Sequence, residues 1–484
     1  MLPTPHRARR TVRHALSLIL LVSLTLAAPA LVRAQDDAGA MALSTTSESA
    51  LMHFRLGIVE VQNLGGSRAA PHFEAAIAAD PDFGLAHFMH AFTDASIAFA
   101  DLPAELAEAM AHMGNASTQE LLFATALRAL VVGDGPLGSH TLAALAEQVP
   151  GDDMVAMYAA QTAGMRGDQT DVIARWRNLL ADHPDIAAVY NGLAYAQWAR
   201  GDAAGAMESV ATYLEMLPSH PNPHDSYAEL SQWAGDYPMA WAHYGHAIEA
   251  DPAIPAGHLG KAELLQLVGA SEGARETLTQ ALASVPATGH ANLMRAIGNS
   301  YLLDGMEAEA MEQLAAAAQA AEDGEQTNAA TTAHLHAALA AGHFGDGAAV
   351  TAHLARAADL RDPSRPQHLA AAAVAYGMAG EEAQAMAMAD ALDEASSNRF
   401  FTSQAHTARA LAHLSAGNAE AAMEELRQAN PGNLMVKQLM AEGFAAMGRS
   451  AAAATKRDEV RNDRRMNLLN SSTPYARARA AAME

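Results

Sequence analysis

Apolar and small residues repeat along the middle of the chain with the spacing of short amphipathic helices. In the segment that ends at Pro252, the residues Ala240, Tyr244 and Ala247 stand at i, i+4 and i+7, so they share one helix face. Gly235 comes before this helix and suits the left-handed conformation that often ends a helix. Pro252 comes after it and cannot continue a helix. The pattern therefore predicts two short helices that meet at Gly235.

The same pattern returns every 34 residues. The helix-breaking prolines that keep this interval are Pro150, Pro184, Pro218, Pro252 and Pro286. The glycines that keep it are Gly133, Gly167, Gly201, Gly235 and Gly269. A pair of helices of this length cannot bury its own apolar face and stacks on its neighbours. The chain is therefore predicted to be a helical solenoid.

The repeat unit resembles the tetratricopeptide repeat (TPR). Units of that family begin their second helix with an alanine, here Ala240, and continue with an aromatic residue, an alanine and a closing proline. The resemblance covers about residues 50 to 465, in about twelve units, with clear phase in about half of them. It implies an all-α, right-handed superhelical solenoid of antiparallel helix pairs.

The phase of the repeats also predicts the domain boundaries. An N-terminal TPR array is expected over residues 50–320, and a degenerate C-terminal array over 321–467, where several closing prolines are missing. A flexible lead-in is expected over 35–49. A tail without repeats is expected over 468–484.

The first 34 residues have the features of a secretory signal peptide. A basic start that includes Arg9 and Arg10 is followed by the uncharged apolar stretch 15–30 and by small residues up to Ala34. We expect cleavage before Gln35 and a protein that is periplasmic or secreted. An uncleaved anchor and a twin-arginine signal are the alternatives.

The charge balance limits the choice of partner. The chain has 54 acidic and 30 basic side chains, a net charge of −24, and the predicted signal removes five arginines but no acid. Nucleic acid and anionic membranes need a basic surface and are therefore not expected as partners. Residues 455–484 are an exception, with seven basic side chains against four acidic ones. This basic end either lies against acidic helices, is solvated, or binds a partner.

No catalytic motif stands out. The sequence has no phosphate loop with its lysine, no nucleophile elbow and no HExxH, so we expect neither an enzyme nor a cofactor. Histidines crowd two segments, and a metal would need three or four of them to converge. Ordinary exposed positions are the alternative. The histidines of the two segments are His220, His224, His243, His246 and His258, then His334, His336 and His343.

In TPR arrays the first helix of each pair lines a concave groove that binds partner peptides. The residues that this resemblance places in the groove are Asn191, Tyr195, Trp198, Asp225, Glu229, Gln232, Trp233, Glu263, Gln266, Arg295 and Asn299. Aromatic rings beside acids and amides suit a basic or amide-rich peptide. Trp198 and Trp233 could instead pack between repeats. The predicted function is a non-catalytic protein-interaction scaffold. The alternative is a periplasmic small-ligand or metal-binding TPR protein.

Overall fold

The computed structural model describes residues 39–63, 66–94, 102–132, 134–163, 172–396, 399–470 and 472–482. Every regular element in these ranges is a helix, which confirms the prediction of an all-α helical repeat. None of these described helices is long and apolar enough to cross a membrane. The predicted signal peptide, the first four residues of the lead-in, Gly133 and Gly167 lie outside the described residues.

The chain divides into two compact units, residues 1–196 and 197–484. The first unit contains nine described α-helices, the last of which ends three residues into the second unit. They are α1 (Glu48–Gln62), α2 (Gly66–Ala79), α3 (Gly84–Thr93), α4 (Leu102–Ala109), α5 (Thr118–Val131), α6 (Gly135–Gln148), α7 (Asp153–Gln161), α8 (Val172–Asp182) and α9 (Ala187–Ala199). A short 3₁₀ helix, Met110–Asn115, follows α4.

The second unit continues with helices of similar length. They are α10 (Ala203–Met216), α11 (Pro221–Ala234), α12 (Tyr237–Ala250), α13 (Pro255–Leu267), α14 (Ser271–Ala281), α15 (Ala287–Leu303), α16 (Glu307–Asp323), α17 (Thr327–Phe344), α18 (Gly347–Leu360), α19 (Pro366–Ala379), α20 (Glu382–Ala395), α21 (Arg399–Ser415), α22 (Ala419–Gln428), α23 (Leu434–Ala446), α24 (Ser450–Arg461) and α25 (Thr473–Ala481). The predicted array boundary at 320 falls inside α16, which packs on α17. The predicted tail contains α25, a helix that the repeat pattern did not predict.

The two helices of a pair are joined by the glycine that the sequence marked. Gly235 has a φ of 91° and ends α11 in the left-handed conformation. The side chain of Asp236 then accepts a hydrogen bond from the backbone N–H of Met239, at 3.1 Å, and so begins α12. A link of two residues makes α11 and α12 antiparallel neighbours. Glycines with positive φ also end the first helices at Gly201, Gly269, Gly305, Gly345, Gly380, Gly417 and Gly448.

The apolar face of α12 lies where the sequence predicted. Ala240, Tyr244 and Ala247 are all buried, and Pro252 comes just after the last residue of α12. The ring of Tyr244 packs on Gly260 of α13, where a β-carbon would overlap its atoms. A small residue on α13 therefore lets one repeat stack closely on the next.

The cores of the two units differ in composition. In the first unit the rings of Phe54 and Phe83 lie 4.9 Å apart, and those of Phe54 and Phe73 lie 5.6 Å apart, between their centroids. The largest buried cluster of the second unit is mostly alanine and leucine, and Tyr475 of α25 belongs to it. The C-terminal helix is therefore part of the core of the second unit.

Candidate functional site

Eight of the predicted groove residues lie on three successive first helices of the second unit, and we call seven of them, all except Gln266, the first-helix surface. They are Asp225, Glu229, Gln232 and Trp233 of α11, Glu263 of α13, and Arg295 and Asn299 of α15. The surface is both acidic and amide-bearing, as the sequence predicted. The structure adds that a segment of the same chain lies against it.

The acidic part of this surface is only partly exposed. Burial, followed by the charge of nearby Glu229, raises the pKa of Asp225 to about 7. Burial also raises the pKa of Glu263 to about 8; the bond from the backbone N–H of Leu468 lowers this pKa, whereas the charges of Glu229 and Asp225 raise it further. Carboxyl groups this close to one another resist losing all their protons together. The cluster therefore favours a ligand that supplies hydrogen-bond donors or positive charge.

The segment Asp463–Asn470 begins two residues after the end of α24, and its main chain is held by three side chains of the first-helix surface. Gln232 donates from Nε2 to the backbone oxygen of Arg464 at 3.1 Å. Glu263 accepts from the backbone N–H of Leu468 at 2.8 Å, and Asn299 donates from Nδ2 to the oxygen of Leu468 at 2.6 Å. Both backbone groups of Leu468, which lies in a turn, are thus bonded to side chains of the first-helix surface.

Side chains of the same segment fill positions between the first helices. Leu468 is fully buried and belongs to a cluster with Ala262, Leu293 and Ile297. Arg464 donates from Nη1 to the oxygen of Ala234 at 2.7 Å. This oxygen is at the carboxyl end of α11, where the helix dipole favours a cation.

Helix α25 continues from this segment and packs on α15, α23 and α24. Tyr475 is fully buried, and its hydroxyl donates to the backbone oxygen of His336 at 3.1 Å. Arg479 donates from Nε to Oε1 of Glu442 at 3.0 Å and from Nη2 to Oε2. The basic end therefore lies against helices with acidic residues, which was one of the three interpretations from sequence.

Arg295 is a groove prediction that the structure places beneath α25. It is 6 % exposed, and its Nε has no hydrogen-bond partner among the described residues. Burial lowers its pKa to about 10. Burial, with the positive charge of Arg295, also holds the pKa of His336 well below its usual range. Arg295 is therefore covered by the chain's own C-terminal helix.

The two tryptophans predicted for the groove contact each other. The ring centroids of Trp198 and Trp233 are 5.7 Å apart, and both rings are partly buried. Trp233 also lines a cleft of about 250 Å³ with Glu229, Arg465 and Met466. Trp233 thus packs against the tryptophan of the preceding repeat and also lines a cleft beside the segment.

Three other predicted groove residues have different surroundings. Gln266 is buried in a network between helices, where it donates to Ser271 at 3.0 Å and accepts from Ser300 at 2.7 Å. It does not reach the bound segment, because these bonds use its amide. Asn191 and Tyr195 are partly buried on α9 in the first unit, so the structure does not group them with the first-helix surface.

The first histidine segment forms a ring cluster on the same repeats. Nδ1 of His224 lies 3.0 Å from Nδ1 of His243, and the ring of His246 is 5.3 Å from that of His224. Burial, followed by the neighbouring histidines, lowers the pKa of His243 to about 4. His258 contacts the backbone oxygen of Pro252 at 3.1 Å.

The second histidine segment is divided among different environments. His334 lies 2.9 Å from a carboxylate oxygen of Glu322, whereas His336 is buried next to Arg295. In the described part of the chain, no group of three or more histidine, aspartate or glutamate side chains could hold a metal ion. The histidine clusters therefore give no support to the metal-binding alternative.

Comparisons with known proteins add a likeness of fold. No family model matches the sequence, and no curated protein matches it. One similar solved structure is the Cut9–Hcn1 hetero-tetramer of APC/C. The likeness covers 85 % of this chain and 86 % of that chain, with 12 % identity and a TM-score of 0.32. At this level the likeness supports no inference about partners.

Sequence reasoning missed the residues that fill the first-helix surface, chiefly Arg464, Leu468 and Tyr475. They follow the last recognisable repeat and have no 34-residue phase. The signal that pointed to them was the basic charge of residues 455–484 in an acidic chain. Charge alone did not say where that end binds.

Proposed function

We propose that this chain is a non-catalytic scaffold that binds a short segment of a partner protein on the first-helix surface. The observation that carries the proposal is the bonding of an irregular segment by Gln232, Glu263 and Asn299, one from each of three successive first helices. These side chains bond to main-chain groups, which every peptide has. A surface that holds one segment in this way has the chemistry to hold another.

The partner segment is proposed to be basic or amide-rich. Asp225, Glu229 and Glu263 place three carboxyl groups on the surface, and the carboxyl end of α11 adds a site for a cation. An acidic segment would add negative charge beside these carboxyl groups and beside the partial negative charge of the helix end. The signal-like start of the sequence supports export, so we propose that the partner is met outside the cytoplasm.

A photo-crosslinking amino acid in place of Trp233 tests this function in the full-length protein, expressed in its own host. Trp233 lines the cleft beside the bound segment, so we expect crosslinks to one discrete partner. The matched control carries the same crosslinker in place of Trp241, which is 44 % exposed on α12, the second helix of the same repeat.

The variant Glu229→Lys reverses one charge of the surface and is expected to reduce the crosslinked partner at least fivefold. Crosslinks of equal yield from positions 233 and 241 would contradict the proposal. So would a yield that Glu229→Lys leaves unchanged.

A further inference from the structure

We propose that Asp463–Asn470 is an internal ligand of the first-helix surface, and that external partners compete with it through a segment with the pattern Arg-x-x-x-Leu. The inference rests on the proposed function and adds to it a competitor and a recognition pattern. In the chain itself the pattern is formed by Arg464 and Leu468.

The arginine position is defined by the end of a helix. The guanidinium of Arg464 bonds to the oxygen of Ala234 at 2.7 Å and lies over Gly235, where a β-carbon would overlap it. Glycine at 235 therefore serves the turn after α11 and also leaves room for the arginine. A lysine would supply one point charge here but not the flat guanidinium that covers the glycine.

The leucine position is defined by a pocket and two backbone bonds. Leu468 is fully buried among residues of α13 and α15, and Glu263 and Asn299 bond its N–H and its oxygen. A charged side chain at this position would be buried without a partner, at a large cost. The site therefore selects an apolar residue four positions after the arginine.

The internal segment competes because it is tethered. Only Asn462 separates it from α24, and α25 holds its other end through Tyr475 and Arg479. A short tether gives an effective concentration of about millimolar. An external segment with the same contacts must therefore overcome this local concentration, and weakening the internal segment must increase external binding.

The test uses the full chain and a fluorescent synthetic peptide with the sequence of residues 462–470. In fluorescence anisotropy, we expect the peptide to bind the Leu468→Asp chain at least tenfold more tightly than the unmodified chain. Adding Asn299→Ala to the Leu468→Asp chain is expected to lower its affinity for the peptide at least tenfold. A peptide that carries Asp at the position of Leu468 is expected not to bind.

A milder variant keeps the test valid if Leu468→Asp fails to fold. Arg464→Ala removes an exposed side chain from the internal segment and is expected to increase the affinity of the chain for the peptide about threefold. Arg427→Ala is the matched control, because Arg427 pairs with Glu424 of its own helix α22 and is expected to leave the affinity unchanged.

The outcomes separate this inference from the proposed function. Equal peptide affinity for all chains, or affinity that Asn299→Ala does not change, would overturn the internal ligand. If the Trp233 crosslinks still captured a partner, the proposed function would stand without it. A dimer in light scattering would place the segment of a second copy on the surface and would also overturn the inference.

Discussion

The two parts of the C-terminal end are held in different ways. The segment Asp463–Asn470 is bonded through its main chain by side chains of α11, α13 and α15. Helix α25 is held through side chains, with Tyr475 in the core and Arg479 in an ion pair. Main-chain bonding can be copied by another peptide, whereas a buried tyrosine belongs to one fold. We infer that α25 is the anchor and the segment Asp463–Asn470 the exchangeable part.

The anchor gives the largest expected effect. Tyr475→Ala would leave a cavity under α25, and truncation of a buried aromatic residue costs about 3–5 kcal/mol. Tyr475→Phe keeps the ring and loses only the bond to His336, at about 1 kcal/mol. Urea unfolding followed by circular dichroism measures both. A Tyr475→Ala chain as stable as the Phe variant would show that α25 is not an anchor.

The segment Asp463–Asn470 is expected to respond locally. Leu468→Ala removes a fully buried side chain, with a cost of about 2–4 kcal/mol at the segment. Hydrogen exchange is expected to speed up over 463–470 while amides of α25 stay protected. Loss of protection in both parts at once would mean that the segment and α25 form one cooperative unit, and would contradict the view that only the segment is exchangeable.

Much of the fold was predictable, because the turn and the helix packing of each repeat depend on residues that are close together in the sequence. Gly235, Ala240 and Pro252 each have a role that follows from their own chemistry. The position of the C-terminal end was not predictable, since Leu468 and Tyr475 bind helices more than a hundred residues away and follow no period. The role of Gln266 was also not predictable. Its position in the repeat is that of a groove residue, but its amide is hydrogen-bonded to Ser271 and Ser300.

The stability of the fold is expected to depend on pH through Glu263. Burial raises the pKa of Glu263 in the folded chain to about 8, although the bond from the N–H of Leu468 acts in the opposite direction, so the folded chain holds a proton that the unfolded chain releases. The free energy of unfolding is therefore highest below about pH 4.5 and falls as the pH rises towards 8. The midpoint of urea unfolding is expected to show this trend. The trend should be weaker in Glu263→Gln, and an unchanged trend there would assign it to another group.

The smallest expected effect is at the ion pair of α25. Glu442→Gln removes the charge that faces Arg479, and both side chains are partly exposed. Pairs of this kind contribute about 1 kcal/mol or less. The midpoint of urea unfolding is expected to shift slightly, and to shift less in high salt. A loss of stability as large as that of Tyr475→Ala would show that the ion pair, and not the tyrosine, anchors α25.

Hydrogen exchange at the backbone N–H of Leu468 in the full chain tests whether the segment Asp463–Asn470 occupies the first-helix surface. This proton is bonded to Glu263 on the first-helix surface. We expect exchange at least a hundredfold slower than in the free peptide of residues 462–470, and a clear acceleration when that peptide is added in excess. Exchange at the rate of the free peptide would show that the surface is empty and would contradict the account.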